Sequence, residues 1–152
     1  MPVVYSYLFV GEKRSELAIK MNVSWVDGRL SAKQLFDALD ACGIPRKKCN
    51  FLNWWPDRVP HARTFSEVCP RQHIRQINNY NREGGWGSGD IVQIVAMGSK
   101  VQKAMSKEGI DFIPIVHPAA RGTIRKKENY AEHIRQQLIE KQGIITIESN
   151  TK

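Results

Sequence analysis

The feature that most restricts the fold is an alternation of short apolar runs with amphipathic stretches. "VVYSYLFVG" reads as a strand ending at Gly11, "KCNFLNWW" as a second stopped by Pro56, "IVQIVAM" as a third and "DFIPIV" as a fourth. Ser31 opens a helix with Leu35, Leu39 and Cys42 on one face, ended by Gly43 and Pro45. Further helices are expected from about Ser66 to Tyr80, from Ser99 to Lys107 and from about Lys127 to Lys141, with "GIITIES" as a short edge strand. The Gly-rich "NREGGWGSGD" separates the second helix from the third strand. Strands that alternate with helices imply a parallel sheet covered on both faces. The expectation is a single domain over residues 1–152: an α/β fold, a three-layer α/β/α sandwich around a central, mostly parallel four-stranded sheet. There is no internal repeat and no linker.

In such sheets the functional groups lie beyond the C-terminal ends of the strands. That singles out Gly11 to Ser15, Asn53 to Asp57 and His117 to Gly122, three segments that should converge on one rim.

Length and composition narrow the class. A chain of 152 residues, 41% apolar and 25% charged, can bury a real core, and no apolar run approaches a bilayer's thickness. "MPVVYSYLFV" reads as a strand rather than as a signal peptide, so the expectation is a cytoplasmic, monomeric protein without membrane association. A net charge of +8 and a pI near 9.6 favour polyanionic partners through phosphate attraction and counterion release, although such charge also serves solubility alone. Cys42, Cys49 and Cys69 are odd in number and contain no C-x-x-C pair, which argues against a disulfide framework or a local zinc site and for buried thiols.

Each candidate residue has two readings. His117, fixed by Pro118, is either a strand-end histidine bonded to a neighbouring loop or a rigid donor to a developing anion. Arg121, Arg125, Lys126 and Lys127 follow it at a helix start; beside a rigid histidine, such cations suit a phosphate-rich substrate better than plain solvation. Asn53 either satisfies backbone or pairs through its amide with a nucleobase edge. Glu12 either orients a water or caps a helix. Of the tryptophans, Trp25, Trp54 and Trp55 are explained by packing or by base stacking, while Trp86 sits in the Gly-rich loop with little to pack on. "GGWGSG" follows a helix and precedes a strand, the reverse of a dinucleotide fingerprint, and lacks the Gly-Lys-Ser/Thr ending of a phosphate loop.

Together these segments resemble the uracil-DNA glycosylase superfamily over roughly residues 3 to 138. The likeness is to the types with a G-E-A-P-G first motif and an H-P-A or H-P-S second motif. The first stands here as Gly11-Glu12-Lys13-Arg14-Ser15 and the second as His117-Pro118-Ala119-Ala120-Arg121. Between them, "GRLSAKQLFDALDACGIPRKKCNFLNWWPD", "RVPHARTFSEVCPRQHIRQI" and "IVQIVAMGSKVQKAM" are similar to the family's Asn-bearing strand, its R-x-P segment and its Met-Gly strand end.

The resemblance implies a monofunctional DNA glycosylase that flips and hydrolytically excises uracil or a related deaminated base, from single- or double-stranded DNA, without a cofactor. It implies that His117 stabilises the leaving base, Asn53 reads its hydrogen-bonding edge, Trp25 stacks on it, Arg121 wedges into the duplex and Glu12 places the hydrolytic water. Flipping costs a few kcal/mol, which cationic backbone contacts and a wedge help offset.

The sequence departs from the family at Lys13, where other branches carry Asp or Asn, and at Arg14, which replaces the motif's proline. A cation beside a developing oxocarbenium ion is unfavourable, so Lys13 and Arg14 are expected to face outward to phosphates; Lys13 as a Schiff-base nucleophile is the alternative. The iron–sulfur cluster of the most similar branch needs four thiolates, and three scattered cysteines do not supply them, so no cluster and no other metal is expected. The rival reading is a catalytically silent DNA- or base-binding module on the same fold. A small-molecule nucleotide enzyme leaves the basic loop unexplained.

Overall fold

Two strands that bury alternate residues on opposite faces organise the protein. In β1 (Val4–Gly11), Tyr7 and Phe9 join one apolar cluster while Leu8 and Val10 join another. In β3 (Ile91–Met97), Val95 and Met97 join the first cluster while Ile94 and Ala96 join the second. Strands apolar on both faces belong in the middle of a covered sheet. The order is β2-β1-β3-β4, with β2 at Cys49–Asn53 and β4 at Ile113–Ile115, and every pairing is parallel. The computed structural model describes residues 4–12, 20–21, 31–55, 70–83, 91–120 and 122–140, and within these the backbone alone of Tyr5, Ser31, Pro70 and Arg125.

Helices cover both faces, so the α/β sandwich expected from the alternation is observed. Against one face lie α1 (Ser31–Ala41), through Leu35, Phe36 and Leu39, and α4 (Lys127–Ile134), through Tyr130 and Ile134. A π-helical stretch, Arg135–Glu140, continues α4 and adds Leu138. Against the other face lie α2 (Pro70–Arg82), through Ile74 and Ile77, and α3 (Ser99–Lys107), through Val101 and Met105. Each fully buried Leu or Ile stabilises the fold by roughly 1.5–3 kcal/mol relative to exposure. The end of α2 is latched to β3 by Asn81, whose amide donates to the Val92 carbonyl at 2.8 Å and accepts from its N–H at 3.1 Å.

β4 is shorter than the expected run from Asp111 to Val116. Val116 leaves the sheet because its backbone groups are bonded to side chains of α4 instead. Pro114 is tolerated because β4 pairs with β3 alone, and its carbonyl accepts from the Gln137 amide at 2.6 Å. Strand β2 ends at Asn53, short of the expected Trp55, and α2 runs to Arg82, two residues beyond Tyr80. The expected helix start at Ser66, the end at Lys141 and the "GIITIES" strand lie outside the described residues. Cys49 is buried and Cys42 half-buried, and burial pushes both thiols up, Cys49 to about 11, so both are protonated at neutral pH. Cys69 lies outside the described residues. No helix among the described residues is long and apolar enough to cross a membrane.

Candidate functional site

The strand register carries three candidate residues to one edge of the sheet. Gly11, the last residue of β1, stands opposite Asn53, the last of β2. Two backbone bonds prolong that pairing: Trp54 N–H donates to the Gly11 carbonyl at 2.8 Å, and Trp55 N–H to the Glu12 carbonyl at 2.9 Å. Glu12 is therefore fixed relative to Asn53 although it lies past the strand. On the other side of β1, Val10 pairs with Ala96 and Met97 with Ile115, so β3 and β4 end at the same edge, and His117 follows two residues beyond. Glu12, Asn53 and His117 thus share the C-terminal rim. Glu12 and His117 are also near enough for the carboxylate's charge to act on the imidazole.

His117 is held from several directions. Its carbonyl accepts from Ala120 N–H at 2.9 Å, closing a tight turn with Pro118 at the second position. Its Nδ1 accepts from Ala119 N–H at 3.0 Å, so the ring is neutral and carries its proton on Nε2. Burial lowers the His117 pKa below the ordinary 6.5, and Glu12 partly opposes that fall. The ring is therefore a neutral hydrogen-bond donor at pH 7, the form suited to meeting a developing anion without first losing a proton.

The peptide before it is clamped by α4. Val116 N–H donates to Nε2 of His133 at 2.9 Å, and the Val116 carbonyl accepts from the Tyr130 hydroxyl at 2.8 Å. Tyr130 is buried and its pKa is strongly raised by burial, so it remains a donor. Gln102 ties the strand ends together, its amide donating to the carbonyls of Ala96 and Ile115 at 3.1 and 3.0 Å. His133, Tyr130 and Gln102 lie outside the motifs that single out His117, Asn53 and Glu12. A usable signal was present: Tyr130 and His133 are polar groups three residues apart, beside Ile134, on the core-facing side of an amphipathic helix.

Gly98 joins β3 to α3 with φ +96° and ψ 156°, a conformation essentially reserved for glycine. A Cβ there would stand 3.5 Å from His117 Cβ, which is ordinary contact, so the restriction is backbone strain rather than a clash. Gly98→Ala is expected to cost about 1–3 kcal/mol in urea unfolding. Because Gly98 N–H also donates to the Ile115 carbonyl at 3.0 Å, the same substitution should disturb the rim around His117.

The remaining candidates divide. Lys126 and Lys127 are exposed at the start of α4, as a phosphate-contacting role requires. Arg125 closes a short 3-10 turn, Thr123–Arg125, and only its backbone is described. Lys13, Arg14, Trp25, Trp86 and Arg121 lie outside the described residues. Trp54 is buried in the core, whereas Trp55 is half-buried. The carboxylate of Glu12 makes a loose, exposed ion pair with Lys100 at 3.6 Å, a contact that no sequence motif signals. Among the described residues no group of three or more His, Cys, Asp or Glu side chains is assembled to hold a metal ion. No protein-family model matches the chain, and no curated protein matches it.

Proposed function

We propose that the protein is a DNA glycosylase of the uracil-DNA glycosylase type, which flips uracil or a related deaminated base and hydrolyses its glycosidic bond. The observation that carries this reading is the neutral His117, its tautomer set by Ala119 N–H, on the same rim as Asn53 and Glu12. Each supplies something the reaction needs. As the C1′–N bond breaks, its electron pair passes to the base, and a donor from His117 Nε2 stabilises the charge on the base oxygen. The Asn53 amide offers both a donor and an acceptor to the base edge. The Glu12 carboxylate orients water toward C1′; the water's oxygen bonds to the sugar carbon as the C1′–N bond breaks, and the proton it loses neutralises the departing base anion. The net charge of +8 favours the DNA backbone as the anchor for the strand.

One observation favours the silent binding module on the same fold. Lys100 lies 3.6 Å from the Glu12 carboxylate, a cation beside the group that would place water. End-labelled oligonucleotides carrying one uracil, single-stranded or opposite guanine, decide between the two readings. Alkali-dependent breaks support the glycosylase. Breaks without alkali implicate Lys13 as a lyase, and salt-sensitive binding without breaks supports the module.

The excision rate should depend on pH in a particular way. Because burial holds His117 below 6.5, the neutral donor persists as pH falls through 6.5, and the rate is expected to decline only at more acidic values. Stability follows the same direction. The contribution of the neutral ring is complete above pH 6.5 and is lost as pH falls through the lower folded-state value. A pH–rate profile under single-turnover conditions measures the first effect, and urea unfolding at several pH values the second.

A further inference from the structure

An open groove of about 580 Å³ lies between α2, α3 and the turn after β2, lined by Trp54, Trp55, Arg71, Lys100, Lys103, Ala104, Lys107 and Glu108. Lys100, Lys103 and Lys107 are exposed on one face of α3, at spacings of three and four, with Ala104 between them as a low floor. Opposite them, the Arg71 guanidinium lies 5.1 Å from the Trp54 ring centre and 6.0 Å from that of Trp55, while its Nε donates to the Trp54 carbonyl at 3.2 Å. The one acidic lining residue, Glu108, is engaged by Arg75. The groove therefore combines an apolar, aromatic wall with a row of cations.

We infer that this groove is a track for single-stranded nucleic acid, with a base against Trp55 and Arg71 and the backbone phosphates along Lys100, Lys103 and Lys107. Charge complementarity selects a polyanion, and the flat aromatic and guanidinium surfaces select one whose units carry π faces. The three lysines span about 10 Å along the helix, enough to meet successive phosphates of one strand. Lys100 also reaches Glu12 on the rim, so a strand lying in the groove ends beside the candidate site. The inference rests on the nucleic-acid half of the proposed function, but its test reads binding and not excision.

The test is fluorescence anisotropy of the full chain with a labelled oligothymidylate of about twelve nucleotides, containing no uracil, titrated at several salt concentrations. Lys103→Glu/Lys107→Glu is compared with Lys47→Glu/Lys48→Glu, which changes net charge equally. Lys47 and Lys48 are exposed in the 3-10 turn Arg46–Lys48, at the opposite end of β2 from Asn53. The groove variant is expected to bind at least tenfold more weakly than this control, with a log–log salt slope shallower by about 0.7 for each lost phosphate contact. Trp55→Ala is expected to weaken binding about tenfold through lost stacking. Equal weakening by the two lysine variants overturns the inference, and so does displacement of the oligomer by poly-glutamate as readily as by unlabelled strand. Intact groove binding without excision of uracil or of any other deaminated base overturns the glycosylase reading alone.

Discussion

His117→Ala is expected to lower the rate of uracil release about 10²–10³-fold, the range seen when a single oxyanion-type donor is removed from a preorganised site. The size of the effect follows from how completely the ring is prepared. Ala119 N–H fixes the tautomer, the Pro118 turn fixes the ring's base, and the peptide before it is clamped by His133 and Tyr130. A donor held in this way loses little freedom at the moment charge develops, so its removal falls mostly on the chemical step. The expected signature is a lower kcat with KM little changed. Loss of the exposed bond to Ala119 costs the fold about 0.5–1.5 kcal/mol, so urea unfolding of the variant is measured beside its rate. The acid limb of the pH–rate profile should also disappear with the imidazole. Undiminished excision by the alanine variant would remove His117 from the mechanism and assign the stabilisation of the leaving base to another group.

The sequence carried the scaffold well because the scaffold is written in periodicity. Alternate residues of β1 and β3 are apolar in both phases, which only a sheet covered on both faces accommodates, and the helices between them supply the covering faces. The convergence of Glu12, Asn53 and His117 followed from one rule about where parallel strands end. What the sequence did not disclose depends on contacts distant in the chain. The pair Lys100–Glu12 joins α3 to the end of β1, and the Val116 clamp reaches fourteen and seventeen residues ahead to Tyr130 and His133. Periodicity marks Tyr130 and His133 as polar residues on a buried helix face but does not name their partners, since such a residue has many possible ones. The two adjacent tryptophans show the same limit. Both line the groove, yet Trp54 is buried in the core while Trp55 is half-buried, a difference of placement and not of residue type.

Asn53→Ala separates the two roles the sequence allows that residue. If the amide reads the base edge, its loss is expected to cost about a hundredfold in kcat/KM on uracil, because removing one partner leaves the base's polar edge buried without its hydrogen bonds. Stability should then change by less than about 1 kcal/mol, since Asn53 is only half-buried at the end of β2. If the amide instead only secures the strand end, the balance reverses: unfolding becomes easier by about 1–3 kcal/mol, while excision by the folded fraction is preserved. Measuring urea unfolding and single-turnover excision on the same preparation distinguishes these outcomes. The Glu12–Lys100 pair supplies the internal comparison. Lys100→Met frees the carboxylate, and under the glycosylase reading it should raise the rate per bound substrate even as it weakens DNA binding. A rate that falls only in step with binding would instead assign Lys100 to holding the strand and show that it does not restrain the carboxylate.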